Sequence, residues 1–129
     1  MEPLYDPADF DQHYFEQLME AELQVLPARF KNKIENLIFL VEDYPNPELV
    51  QRMGLPGRHS LLGVYTGVPL SKRHYYMGVM PDQIILFRCN ILSVCRRETE
   101  IPLQIRKVLL HEIGHYLGMS EAEIREVGY

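Results

Sequence analysis

Cross-links are scarce in this chain: its 129 residues contain two cysteines, Cys89 and Cys95. That is too few for the disulfide framework of a small secreted scaffold. Two semi-buried thiols beside a strand are the expected state. Positive charge is also short. Lysine and arginine total 13 against 18 aspartates and glutamates, a net charge of −5. This argues against nucleic acid, which wants a basic face. No apolar run approaches the length of a membrane span. The opening segment MEPLYDPADF has neither a basic region nor an apolar core, so it does not read as a signal peptide. A cytoplasmic protein with reduced thiols and no membrane partner is the expectation. Repeats, low-complexity tracts and linkers are missing too, so residues 1–129 are expected to form a single domain with its own core.

What is present follows helical and strand periods. Phe10, Tyr14, Phe15, Leu18, Ala21 and Val25 recur at helical spacing, with glutamate and glutamine opposite, so Ala8–Val25 is expected to be a helix. Pro27 suits the first turn of a second helix through Asn36. The runs LIFLV, LLGVYTG and QIILFRC read as strands, and NPELVQRM as one or two helical turns. SKRHYYMGVMPD fits a loop or a short strand, and Asn90–Arg97 a loop or a helical turn. Pro102–Leu117 has the pattern of a long helix, stopped by Gly118. The expected class is α+β: a small mixed sheet packed on an N-terminal helix and a buried late helix.

That late helix carries HEIGH, residues His111–His115. Four helical residues advance about 400°, so the two imidazoles lie roughly 40° apart on one face and can share one tetrahedral metal. Glu112 lies about 100° round from His111 and borders that face. A general base for a metal-bound water belongs there. Ile105, Val108, Leu109, Ile113, Leu117, Leu110 and Leu103 cover a wide arc, so the helix is expected to be buried. Arg106 falls inside that arc without an evident reason. Gly114 would let another backbone element approach closely.

Two histidines leave a third ligand to find. Gly118 can turn the chain back, and HEIGHYLGMSE then reads H-E-x-x-H-x-x-G-x-x-E, with Glu121 eleventh. In metzincins the eleventh position is a histidine ligand. Glu121 is therefore the candidate third ligand, with Glu123, Glu126, His59 and His74 as alternatives. SEAE is also a capping box, with Ser120 as cap and Glu123 at its third helical position. Both roles are compatible, because a first-turn carboxylate can face the metal.

With His111, Glu112, His115, Gly118 and Glu121 in place, the sequence resembles the minimal zincin-like metallopeptidases of bacteria, whose motif is HExxHxxGxx followed by an acidic residue. The resemblance runs from about Leu26 to Tyr129, through LPARF…IENLIFLVEDYP, YTGVPLSKR and MPDQIILF. It implies a zincin fold stripped to its core and one bound Zn2+ per chain. Aspartate is the usual last residue of that motif, and Glu121 is one methylene longer.

Two functions follow as expectations. The first is a zinc-dependent metallopeptidase with Glu112 as general base, acting on an extended peptide or protein along a sheet edge, with QIILFRC the candidate edge. His74, Tyr75 and Tyr76 are candidates for oxyanion stabilisation. The second is a metal-stabilised, catalytically inactive zinc-binding interaction module. Its argument is that residues 116–129 leave little chain for the lower wall of a cleft.

Overall fold

The computed structural model describes residues 2–67 and 82–129. SKRHYYMGVMPD therefore lies almost wholly outside the described residues, as do His74, Tyr75 and Tyr76. The first helix begins later than its periodicity suggests. Pro7–Asp9 forms a single 3-10 turn, and Asp11 then caps α1, Gln12–Gln24, by accepting the Tyr14 N–H at 2.9 Å. Phe15, Met19 and Glu22 form its buried face. The second helix is shorter than expected. α2 spans only Ala28–Lys31, and Asn36 takes a left-handed conformation, φ 48°, that turns the chain into the sheet. Asparagine tolerates that region better than most residues.

Strand β1 is Leu37–Glu42, followed by helix α3, Pro47–Arg52, which Asn46 caps. Strand β2 is Gly63–Thr66 and β3 is Asp82–Phe87. Helix α4, Arg88–Val94, follows β3 directly. The strand order is β1-β3-β2, with β1 parallel and β2 antiparallel to β3, so the sheet is mixed as expected. The expected edge is wrong, however. QIILF is the central strand, and Arg88 and Cys89 already belong to α4. Its near-continuous apolar character is what a strand covered on both faces needs. Both cysteines are free thiols.

Register puts Phe39 beside Ile84 and Val41 beside Leu86 on the inner face. That face packs against α1 and against α5, Glu100–Tyr116. Ile101, Ile105, Leu109 and Ile113 of α5 are fully buried. Leu103 is not part of this arc: it is 61% exposed. Arg106 gains its explanation here, since its Nε donates to Glu22 Oε1 of α1 at 2.7 Å. On the outer face, Leu49 of α3 covers Val64 and Phe87 in a second small cluster. A last helix, α6, spans Glu121–Glu126. Among the described residues, no helix is long and apolar enough to cross a membrane.

Candidate metal centre

The site is built at the C-terminal end of α5. Gly118 adopts φ 88°, and the chain reverses through two bonds: Gly118 N–H to the His115 carbonyl and Met119 N–H to the Gly114 carbonyl, each 2.9 Å. This pair is a Schellman turn. Ser120 then caps α6, and Glu123 returns the bond to the Ser120 N–H at 3.0 Å. The capping box expected from SEAE is thus present. It leaves Glu121, the first residue of α6, facing back along α5. Ile124 of α6 packs on Gly114, where a Cβ would lie 2.8 Å from Ile124 Cγ1. The close approach at this glycine comes from a side chain rather than from backbone.

His111, His115 and Glu121 are brought together, with one donor atom from each lying within 4.8 Å of the others. Glu121 Oε1 is 2.8 Å from His115 Nε2 and 3.2 Å from His111 Nε2. Ligands about 2 Å from one tetrahedral ion stand roughly 3.3 Å apart. The donor set therefore fits zinc after a small opening, and two imidazoles with one carboxylate are a set that zinc accepts. The alternatives are placed elsewhere. Glu123 serves the capping box, His59 sets its ring against Tyr44 at 5.2 Å, and Glu126 is outside the donor group. His74 lies outside the described residues.

His111 is also held from behind. Its Nδ1 is 3.2 Å from the Tyr129 carbonyl oxygen. A carbonyl can only accept, so Nδ1 carries the proton and Nε2 is the nitrogen turned to the donor group. Gly128, φ 94°, shapes this approach, and the Tyr129 ring sits edge-on to Phe30 at 5.9 Å. Burial pulls the His111 pKa down, but the Tyr129 and Glu121 bonds and the nearby carboxylates outweigh it, and the net shift is upward. At Glu121 partial burial raises the pKa, while the bonds and charges of the two histidines prevail and lower it.

Glu112 is buried, 9% exposed, beside this group. It accepts a hydrogen bond from the Tyr65 backbone N–H of β2. The strand register explains that donor. Phe87 N–H bonds the Leu62 carbonyl at 2.9 Å, and bonded pairs alternate along an antiparallel ladder. The backbone groups of Gly63 and Tyr65 consequently point away from β3, and the Tyr65 N–H meets Glu112 of α5. Close packing of β2 on α5 requires Gly63, because a Cβ there would lie 2.6 Å from Val108 Cγ1. Burial raises the Glu112 pKa to about 7, with His111 and the Tyr65 N–H pulling down and Glu121 pushing up. Sequence reasoning missed Gly63, the Tyr65 N–H and the Tyr129 carbonyl. The last two are backbone groups, which leave no mark in residue identity; the glycine within a strand pattern was the available signal.

His111, Glu112, His115 and Glu121 line a cleft of about 660 Å³, with Gly63 and Tyr65 of β2 on its opposite wall. A buried carboxyl thus stands beside a two-histidine, one-carboxylate group that could hold a metal ion, on a helix packed under a mixed sheet. The model of the zincin-like metallopeptidases matches residues 34–129, and the chain belongs to that family. No curated protein matches it.

Proposed function

We propose that the protein is a zinc-dependent peptidase that hydrolyses bonds in extended peptides, with one zinc per chain held by His111, His115 and Glu121. The observation that carries this reading is Glu112, buried beside the donor group and fixed by the Tyr65 N–H. Zinc bound there would supply Lewis acidity and acidify water. Glu112 takes the proton of the attacking water and returns it to the leaving amine. Burial raises the Glu112 pKa in the metal-free protein, and a cation bound beside it would pull the pKa down again, favouring the carboxylate that accepts the water's proton. The Tyr65 N–H keeps one carboxyl oxygen in place while the other faces the cleft.

An extended substrate fits along β2, which is an edge of the sheet among the described residues. Outward-facing groups of Gly63 offer it strand-like hydrogen bonds. An inactive metal-stabilised module would favour a donor set closed by a fourth ligand. Three donors gather among the described residues, and the peptidase reading takes the fourth position to be water. The test is hydrolysis of unstructured, internally quenched peptides by the zinc-loaded protein beside Glu112→Gln. Loss of turnover with zinc retained is expected. Equal rates in the two proteins would end the base assignment.

A further inference from the structure

Beyond the metal cleft a second hollow, about 280 Å³, continues along α5 towards its N-terminus. Leu61, Gly63, His111 and Glu112 border both, so the two are adjacent. Leu62 and Val108 give the second hollow apolar walls, and Gln104, Lys107 and Tyr129 give it polar ones. Gln104, Lys107 and His111 fall on one stripe of α5, at successive turns. Lys107 is exposed and makes no ion pair or hydrogen bond among the described residues. Its helix neighbours three and four positions away, Leu103, Gln104, Leu110 and His111, include no carboxylate.

We propose that this hollow is a substrate subsite for a carboxylate, with Lys107 as the residue that sets specificity. The proposal rests on the peptidase reading above and adds a substrate class to it. An ammonium beside a primary amide, between apolar walls, matches one anionic oxygen pair with a hydrogen-bond donor next to it. The distance also fits. Lys107 precedes His111 by one turn, about 6 Å along the axis, and its four-carbon stem is flexible. An extended chain advances about 3.3 Å per residue, so the carboxylate belongs within two residues of the bond at the metal. The hollow sits at the Leu61–Gly63 end of β2. A chain pairing antiparallel with β2 runs its C-terminal end towards that end. The recognised carboxylate therefore lies C-terminal to the cleaved bond. It is either an Asp or Glu side chain or the terminal carboxylate of a short peptide.

Two arms of one experiment separate these sources. Quenched peptides with an amidated terminus carry Glu, Gln, Leu or Lys just after the cleaved bond. A second set ends at that position with a free or an amidated terminus. Zinc-loaded parent, Lys107→Met and Lys107→Glu are compared by kcat/KM. The expected result is a preference of about tenfold for one carboxylate over its amide. Lys107→Met should bring the ratio near one, and Lys107→Glu should turn the preference towards lysine. Preference within the first set identifies an acidic side chain, and within the second a terminal carboxylate. A ratio near one in the parent, or one untouched by Lys107→Met, overturns the subsite. Binding of fluorescent versions to zinc-loaded Glu112→Gln reads the same ratio without turnover. If that ratio appears while the parent cleaves nothing, the peptidase reading falls and the carboxylate subsite stands. If carboxylate and amide bind alike, the subsite falls whatever the parent cleaves.

Discussion

Burial of one carboxyl makes Glu112, the base of the proposed reaction, a weak point of the metal-free fold. In the metal-free protein its pKa rises from 4.5 to about 7. A carboxyl raised in the folded state contributes stability fully below its unfolded value and loses it as pH climbs through the folded one. Over that window the loss is on the order of 3 kcal/mol. Glu112→Gln should therefore stabilise the metal-free protein relative to the parent at pH 8 and change little at pH 4. Urea midpoints of the two proteins at both pH values check this, and a constant difference would contradict it. Glu121 makes the opposite demand, since its proposed role is to hold the metal. Glu121→Ala should weaken zinc binding by more than roughly 100-fold, the upper range for changes outside the ligand shell. Competition with a chromogenic chelator measures it, and unaltered affinity would remove Glu121 from the ligand set. This residue was legible in the sequence because every group that places it, from Gly118 to Glu123, is local. The Arg106–Glu22 pair was not legible, because its partner is 84 positions away.

At the scale of elements, two contacts decide whether the parts of the site stay in register. The first is β2 on α5, where Gly63 meets Val108. Gly63→Ala should cost about 1–3 kcal/mol by overpacking and lift the Tyr65 N–H off Glu112. Turnover is expected to fall while zinc affinity holds, because all three donors ride on α5 and α6. Adding Val108→Ala should recover part of both losses, and a coupling energy near zero between the two sites would refute the contact. The second is α6 on α5. Ile124 is 1% exposed, and Ile124→Ala should cost about 2–4 kcal/mol and loosen Glu121, which zinc titration would register. Strand identity was readable from β-branched composition, but strand order was not. QIILF looked like an available edge because periodicity describes a strand's faces and says nothing about its neighbours. Its three fully buried residues, Ile84, Leu86 and Phe87, belong to a strand paired on both sides. The short α2 was misread for a similar reason: Pro27 marks where a helix can start, whereas Asn36 ends the segment by a backbone conformation.

For the whole molecule, metal occupancy and folding are linked, since the donors converge only in the folded chain. Zinc at about 1,000 times its Kd adds roughly 4 kcal/mol. For a protein of this size that should raise Tm by on the order of 10 °C or more, and a chelator should reverse it. No zinc-dependent shift would mean that the donor group holds no ion. The layered plan of sheet and helices followed from composition and period, and the site's centre from HEIGHYLGMSE. The wall opposite the metal, made by Gly63 and Tyr65, depends on how distant segments meet and emerged only in three dimensions. One consequence of the turn at Gly118 concerns entropy. The three donors fall within 11 residues, His111–Glu121, most of them already ordered as helix. Closing a loop costs about 0.6 kcal/mol more per doubling of its length. A third donor some eighty residues away would cost about 2 kcal/mol more to recruit. Ion capture by the proposed donor set would thus depend on one short joint, Met119 and Ser120, whose stiffness should set how fast the ion leaves.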